Sequence, residues 1–260
     1  MALAGHGRSA CPGMRTAANI TVMIIRGGTF NPSCSTVISV IIPTINEEKS
    51  IGPVVDRIRA NLDSVTRDYE IIIVDTNSRD RTTEIAQQKG CRVVREPERG
   101  YGRAYKTGFG AAAGETIITM DADASYPPEA IPFLLGIFNR DQLDFITANR
   151  FGQMREGAMN RTHRFGNWIL NMTTRVLFGV RLSDSQSGMW ILKKSVFEKL
   201  NVRSNGFPFS EEIKIKAAKH VRFKEIPVEF SLRQGEKKLR TWKDGWNNLK
   251  FLVKLRFTRD

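Results

Sequence analysis

Short apolar runs rich in β-branched residues alternate with helical segments, and this alternation constrains the fold more than any other feature of the sequence. The runs lie at residues 37–42, 69–74, 91–94 and 116–120. Each is as long as a strand that is buried on both faces, and apolar residues at helical spacing lie between the runs. The pattern predicts an α/β fold with a central, mostly parallel, Rossmann-like sheet that is flanked by helices.

The helical segments between the runs have recognisable ends. The first helix is predicted to begin at Asn46, a residue type that caps helix N-termini, with Glu47 and Glu48 in its first turn. Apolar residues at helical spacing continue it to Leu62. A glycine-containing region at 100–114 is predicted to be another helix, directly before the fourth strand.

Acidic residues follow two of the predicted strands. Asp75 follows the second strand, and Asp121 and Asp123 follow the fourth with only Ala122 between them. Ligands of open parallel sheets bind outside the carboxyl ends of the strands, which is where these acids are placed. Two carboxylates one residue apart can share a divalent cation that bridges the oxygens of a nucleotide diphosphate. Asp-x-Asp also occurs by chance at solvated strand ends, but its position after an apolar strand favours the binding interpretation.

Charge and composition limit the class of protein and the kind of partner. Forty Lys and Arg against 27 Asp and Glu give a net charge of +13, which favours an anionic partner such as a nucleotide, a phosphate or an acidic membrane. The three cysteines have no CxxC spacing, which argues against a disulfide framework and a zinc site. No apolar run approaches the roughly 18 residues of a membrane span. Residues 1–36, rich in Gly, Ala, Ser and Pro, are predicted to be a disordered tail without a signal peptide.

Five ordered blocks of sequence carry a family resemblance. They lie at residues 43–48, 74–78, 121–129, 184–189 and 234–239. In sequence, order and spacing they resemble the family 2 glycosyltransferases. Within that family they are most similar to the polyprenyl-phosphate (dolichyl-phosphate) mannose synthases and their glucosyl relatives. Five blocks in order are far more specific than any one of them.

The resemblance implies a GT-A glycosyltransferase domain over residues 37–240. Residues 241–260 mix Trp, Leu and Phe with Lys and Arg, and they are predicted to form a C-terminal basic amphipathic helix. This helix would either lie on a membrane surface or pack back on the domain. A polyprenyl acceptor favours a peripheral enzyme on the cytoplasmic face of a membrane, alone or with a membrane subunit. The apolar, aromatic-rich stripe at 168–178 is typical of a core helix.

The resemblance also implies roles for individual residues. Asp121 and Asp123 would bind Mg²⁺ or Mn²⁺, and Arg150 and Arg164 would hold the acceptor phosphate. Thr76 stands where the family usually has a second acid, so the donor is expected to be either GDP-mannose or a UDP-sugar. The nucleotide-sugar site that the resemblance implies consists of Pro43, Asn46, Glu47, Asp75, Asp121, Ala122, Asp123, Arg233 and Lys238.

The expected chemistry is an inverting transfer of a hexose, mannose or glucose, to a polyprenyl phosphate. A phosphate acceptor is already an anion, so the protein has to aim it rather than deprotonate it, and arginine does this with bidentate geometry. The candidate catalytic residues are Asp121, Asp123, Arg150, Arg164 and Asp184. If the acceptor were instead a sugar or glycan hydroxyl, a carboxylate base would be needed, and Asp184, Glu211 and Glu212 are the candidates.

The charge of the chain leaves a non-enzymatic alternative, a nucleic-acid-binding protein. The sequence lacks the aromatic motifs of RNA-binding domains and a helix-turn-helix pattern, and its acids cluster at strand ends. No nucleic-acid partner is therefore expected. A processive polysaccharide synthase is disfavoured because its membrane spans and its Gln-x-x-Arg-Trp block are not found in the sequence.

Overall fold

The computed structural model describes residues 37–155, 157–232 and 241–257, and these contain a seven-stranded sheet. The four strands predicted from sequence are confirmed, with ends that differ by at most two residues. The strands are β1 (Ile38–Thr44), β2 (Tyr69–Asp75), β3 (Arg92–Arg95), β4 (Thr116–Thr119), β5 (Phe145–Met154), β6 (Trp190–Lys193) and β7 (Phe223–Phe230). Their order across the sheet is β3-β2-β1-β4-β6-β5-β7.

One strand runs against the others. The pairs β1–β2, β1–β4, β2–β3 and β5–β7 are parallel, whereas β6 is antiparallel to both of its neighbours, β4 and β5. The expectation of a mostly parallel sheet is therefore confirmed. Because β6 is reversed, the loop that precedes it arrives at the same edge of the sheet as the carboxyl ends of the other strands. In this way residues 184–189 reach the edge of the sheet at which the other strands end.

Helices cover both faces of the sheet. They are α1 (Ile51–Leu62), α2 (Thr82–Gln88), α3 (Tyr101–Ala111), α4 (Ile131–Arg140), α5 (Arg161–Phe178), α6 (Lys194–Leu200), α7 (Phe209–His220) and α8 (Thr241–Phe257). Side chains of a strand point alternately to its two faces, so a central strand contributes residues to a hydrophobic core on each face. Ile71 and Ile73 of β2 join the core under α1 and α4, and Ile72 and Val74 join the core under α3 and α7.

Helix α1 begins at Ile51, so the expectation that Asn46 caps it was wrong. Asn46 has a left-handed backbone with φ of 53°, a conformation that asparagine adopts more readily than most residues. Its side-chain Oδ1 accepts a hydrogen bond from the backbone N–H of Arg79 at 2.8 Å, and its own N–H donates to Ser78 Oγ at 2.9 Å. Asn46 therefore joins the loop after β1 to the loop after β2 instead of starting a helix.

Helix α5 is not a core helix, which corrects the interpretation of the stripe at 168–178. Of its 18 residues only Leu170 and Thr174 are buried, whereas Trp168 is 55% exposed and Val176 is 74% exposed. A helix that covers the sheet would bury an entire stripe. Helix α5 lies outside the sheet layers and packs against α8.

Helix α8 is the predicted C-terminal amphipathic helix, and it packs on the domain. Leu252 is fully buried in a small third core that it shares with Leu170 of α5 and Ile215 of α7. Trp246 and Phe257, on the same helix, are 58% and 79% exposed. Among the helices of the described residues, none has the length and apolar character that crossing a membrane requires.

Candidate active site

The loops after β1 and β2 are fixed to each other by buried polar contacts. Asp75, 3% exposed, accepts hydrogen bonds from Thr44 Oγ1 at 3.2 Å and from the backbone N–H of Ser78 at 3.0 Å. The backbone N–H of Glu47 donates to Thr82 Oγ1 at 2.7 Å. These contacts bring residues of the predicted nucleotide-sugar site to one edge of the sheet. The contacts of Asp75 with a nucleoside stay a prediction.

The Asp-Ala-Asp motif begins two residues after Thr119, the last residue of β4. Thr119 pairs with Ile41 of β1, so Asp121 lies level with Pro43. Gly188, in the loop before β6, passes close to Asp121: a Cβ on this glycine would lie 3.0 and 3.1 Å from the two carboxylate oxygens. The reversed strand therefore brings its loop directly against the motif.

Asp123 is 4% exposed, and its Oδ1 accepts a hydrogen bond from the backbone N–H of Ser125 at 3.0 Å. Asp121 and Asp123 line the same cavity, and two carboxylates on one cavity provide the oxygen ligands that hard divalent cations prefer. Within the described ranges no group of three or more His, Cys, Asp or Glu could enclose a metal. A cation held by this pair would complete its coordination with substrate phosphate and water.

The cavity has a volume of about 900 Å³, within the range of small-molecule binding sites. Its polar wall includes Asp121, Asp123 and Arg150. Its apolar wall is built by α5, α8, the last residue of β7 and the residues that follow it. The side chains of this second wall include Phe165, Ile169, Leu170, Phe230, Leu232, Trp246 and Leu249.

Arg150, on β5, is held by a buried carboxylate. Its Nε and Nη2 each donate to an oxygen of Asp184 at 2.7 Å, and its backbone N–H donates to the same carboxylate at 3.0 Å. The side chains of Arg150 and Asp184 are 12% and 1% exposed. This bidentate contact uses two of the five N–H donors of the guanidinium. The remaining donors allow Arg150 to bind an anion in the cavity as well.

The electrostatics of this pair keep both groups charged. Desolvation opposes the charge of Arg150, but the neighbouring Asp184 outweighs it and the pKa of Arg150 is raised above its ordinary value. Desolvation likewise opposes the charge of Asp184, yet Arg150 lowers its pKa below the ordinary value. Asp184 is therefore the counter-ion of Arg150 and is poorly suited to remove a proton from an acceptor.

The other two candidate bases also have structural partners. Glu212 accepts hydrogen bonds from the backbone N–H groups of Arg203 and Ser204 at 2.9 and 2.8 Å, and it pairs with Lys216. Glu211 is fully buried and accepts a hydrogen bond from Gln186 Nε2 at 2.6 Å. Neither lines the cavity.

Of the two arginines that were expected to hold an acceptor phosphate, only one is found in the cavity wall, and their role stays a prediction. Arg150 lines the cavity, whereas Arg164 is exposed in the first turn of α5 and is not among the lining residues. The neighbouring His163 does line it. Its backbone N–H is capped by Asn160 Oδ1 at 2.9 Å.

Several predicted residues lie outside the cavity wall or outside the described residues. Pro43 lies on β1, Asn46 and Glu47 lie in the loop after it, and none of the three lines the cavity. Arg233 and Lys238 fall outside the described residues, as do residues 1–36.

Sequence reasoning missed Tyr101, Gln186 and His163, all of which line the cavity. Gln186 stands inside one of the family blocks, so its position gave a signal. His163 stands next to Arg164, which the resemblance assigned to the acceptor phosphate, so the first turn of α5 was indicated through the neighbouring residue.

Comparison with known proteins gives consistent results. The model of the Glycosyl transferase family 2 matches residues 39–201. The dolichol-phosphate mannosyltransferase of Mycosarcoma maydis is 34% identical over 240 residues, which cover 86% of this chain and 78% of that protein. The Haloferax volcanii protein named low-salt glycan biosynthesis hexosyltransferase Agl6 is 33% identical over 83% of this chain and 53% of its own length. The chain thus spans about half of that relative.

A solved structure supports the fold. The crystal structure of glucosyl-3-phosphoglycerate synthase from Mycobacterium tuberculosis, in complex with Mn²⁺, UDP and glucosyl-3-phosphoglycerate, superposes with a TM-score of 0.69. The superposition covers 85% of this chain and 80% of that one at 20% identity, a similarity that extends to the fold alone. With the family match over most of its length, this chain is a glycosyltransferase with a GT-A fold and belongs to glycosyl transferase family 2.

Proposed function

We propose that this enzyme transfers a hexose from a nucleotide sugar, GDP-mannose or a UDP-sugar, to a polyprenyl (dolichyl) phosphate with inversion at the anomeric carbon. The observation that carries the proposal is the cavity, in which Arg150 and the two acids of the Asp-Ala-Asp motif share space with an apolar wall. A phosphate on a long apolar chain requires charged groups around the phosphate and apolar side chains around the chain. The names of two relatives, a dolichol-phosphate mannosyltransferase and a dolichyl-phosphate hexose transferase, support this acceptor class.

The acids around the cavity favour a phosphate over a hydroxyl acceptor. A hydroxyl requires a base, and the candidates Asp184, Glu211 and Glu212 are each bound to structural partners. Among the described lining residues, the carboxylates are those of Asp121 and Asp123, which the proposal assigns to the cation. A phosphate oxygen attacks without losing a proton, so the site has only to position it.

The roles of the protein groups follow from their charge. Arg150, fixed by Asp184, attracts the acceptor phosphate and aims one of its oxygens at the donor sugar. Asp121 and Asp123 would hold Mg²⁺ or Mn²⁺, and such a cation would supply positive charge to the diphosphate leaving group.

The exposed faces of α5 and α8 favour a position on a membrane surface. We define the apolar rim as the exposed apolar residues of these helices, which are Phe165, Trp168, Met172, Val176, Trp246, Val253 and Phe257. Phe165 and Trp246, one from each helix, also line the cavity. Lys250, Lys254 and Arg256 of α8 are exposed, as anionic headgroups require. The proposed enzyme is peripheral on the cytoplasmic face, alone or with a membrane subunit.

Transfer of radiolabelled sugar to dolichyl phosphate in detergent tests the proposal, with a panel of GDP- and UDP-sugars and with Mg²⁺ or Mn²⁺. We expect labelled lipid from one donor, and loss of the product when EDTA is added. Sugar-alcohol acceptors are run in parallel. Donor turnover that labels an alcohol but never the lipid phosphate would overturn the proposed acceptor.

Variants connect the product to the site. Asp123→Asn is expected to lower kcat by about 100-fold or more, because it weakens the cation site. Asp68→Asn is the matched control, since Asp68 is exposed at the amino end of β2, the opposite edge of the sheet. Arg150→Lys should raise the KM for the lipid phosphate by roughly tenfold, because lysine cannot keep the bidentate contact. Arg175→Lys, on the exposed face of α5, should leave this KM unchanged.

A further inference from the structure

A line of hydrogen bonds runs from α8 into the interior of the site. Asn248 of α8, 4% exposed, donates from Nδ2 to Gln186 Oε1 at 3.2 Å. Gln186 in turn donates from Nε2 to Glu211 Oε1 at 2.6 Å. The two ends of one amide are thus engaged by different helices, α8 and α7. Asn248 and Gln186 also line the cavity.

The backbone of Gln186 contacts the carboxylate that holds Arg150. Its N–H donates to Asp184 Oδ1 at 3.2 Å, and the same oxygen accepts from Arg150 Nη2 at 2.7 Å. On the other side of Asp184, Lys214 Nζ donates to its backbone oxygen at 3.0 Å. A shift of Gln186 would therefore move the carboxylate that fixes the direction of Arg150.

The hydrogen bonds that join Asn248, Gln186 and Glu211 do not serve the stability of the fold alone. Asn248 Oδ1 and Glu211 Oε2 are buried and have no hydrogen-bond partner among the described residues. Buried polar atoms in such a position cost free energy, and apolar side chains of the same size would avoid the cost. The network keeps two such atoms next to the amide of Gln186 despite this cost, which points to a role in positioning.

We propose that Gln186 is a positioning residue that couples the seating of α8 to the orientation of Arg150. The inference rests on the proposed function, in which Arg150 faces the acceptor phosphate and α8 contacts the membrane that carries the acceptor. When α8 is seated, Asn248 holds the Gln186 side chain, and the Gln186 backbone holds Asp184 against Arg150. When α8 is displaced, the contact is lost and Arg150 is less well aimed.

The chain offers a matched pair of variants for the test. Asn248→Leu removes the donor to Gln186 and keeps the branching of the side chain at Cγ. Asn247→Leu makes the same change at the next residue, which is exposed. Gln186→Leu removes the amide itself.

Steady-state kinetics with dolichyl phosphate give the first readout. Asn248→Leu and Gln186→Leu are expected to raise the KM for the acceptor by roughly tenfold, the usual size of an effect on a residue that supports a binding group. The KM for the nucleotide sugar should change less than about twofold, and Asn247→Leu should match the wild type. Equal increases in both KM values, or an Asn248→Leu enzyme that matches Asn247→Leu, would overturn the inference.

Amide hydrogen exchange gives a second readout that does not depend on the acceptor. The backbone N–H groups of Arg150 and Gln186 both donate to Asp184. In Asn248→Leu these two amides should exchange roughly tenfold faster than in Asn247→Leu. If the wild type transfers no sugar to the lipid but this difference is present, the proposed function fails and the coupling stands. If transfer occurs and the exchange rates are equal, the coupling is refuted.

Discussion

Two ionisable side chains of α7, Glu211 and Lys214, are fully buried below the site. Desolvation raises the pKa of Glu211 to about 8, and it lowers the pKa of Lys214 to about 7. Near pH 7 Glu211 is therefore mostly protonated and neutral, and Lys214 is about half protonated, which reduces the charge that the interior has to hold. Lys214 is stacked over the ring of Trp190 at 5.7 Å, a contact that favours whatever positive charge remains.

Burial of Glu211 predicts a pH-dependent gain in stability for Glu211→Gln. The folded protein keeps the Glu211 proton up to about pH 8, whereas the unfolded chain loses it near pH 4.5. The wild type is therefore destabilised as the pH rises from 4.5 to 8, and glutamine has no proton to lose. We expect the advantage of the variant to be on the order of 2 kcal/mol larger at pH 8.5 than at pH 5. Urea unfolding at the two pH values measures it.

The control for this prediction is Glu198→Gln, because Glu198 is exposed on α6. It should show the same small difference from wild type at both pH values. An advantage of Glu211→Gln that is independent of pH would contradict the assigned burial cost.

The sequence was informative about the charged residues that line the cavity and uninformative about the residues that support them. Asp121 and Asp123 could be placed from their motif and strand position, and Arg150 from the family resemblance. Glu211 and Glu212 were named as candidate bases, a role that requires a carboxylate facing the acceptor. Their burial could not be predicted, because it depends on contacts with Gln186 and with residues 203–204, which lie outside α7.

At the scale of elements, the glycines of α3 set how closely the helix approaches the sheet. A Cβ on Gly108 would lie 2.5 Å from Ile41 Cγ2 and 3.0 Å from Val74 Cγ2, so this glycine is in direct contact with β1 and β2. Gly110, two residues later in the same helix, has no atom within 4 Å of its Cβ position. One helix therefore contains a packing glycine and an exposed one.

This contrast predicts opposite effects of the same substitution. Gly108→Ala should destabilise the fold by about 1–3 kcal/mol, because α3 has to move away from the sheet. Gly110→Ala should stabilise it by about 0.5–1 kcal/mol, since alanine favours the helix and meets no neighbour. Thermal unfolding monitored by circular dichroism compares the two. A loss of stability in Gly110→Ala as large as in Gly108→Ala would refute this account of the packing.

The elements with strong local periodicity were the ones that could be predicted. The strands β1 to β4 follow from apolar runs, but β5, β6 and β7 were not identified. Strand β6 has only four residues, and its reversed direction depends on pairing with β4 and β5. The start of α1 was misplaced because the contacts of Asn46 with Ser78 and Arg79 join loops far apart in the chain.

For the whole molecule, the net charge of +13 and the apolar rim together predict binding to anionic membranes. The double variant Trp168→Ser, Phe257→Ser should lower partition onto vesicles of phosphatidylglycerol and phosphatidylcholine by roughly tenfold or more, because it removes two large apolar contacts. Added salt should weaken the binding of the wild type. Sedimentation with the vesicles measures the bound fraction.

Phe133→Ser is the control, since Phe133 is 62% exposed on α4 and lies outside the rim. It should bind the vesicles like the wild type. An equal loss in the control would mean that exposed apolar area in general drives the binding, and that α5 and α8 are not the contact.

Two separate stretches of the chain meet at the cavity. Asp121, Asp123 and Ser125 lie in the loop after β4, whereas Arg150 on β5 and the helices α5 and α8 come later in the chain. In the proposed function the first stretch holds the donor and the second receives the acceptor. A lineage would then change the molecule that receives the sugar through substitutions in the second stretch alone, and new acceptors would become accessible without a new enzyme fold.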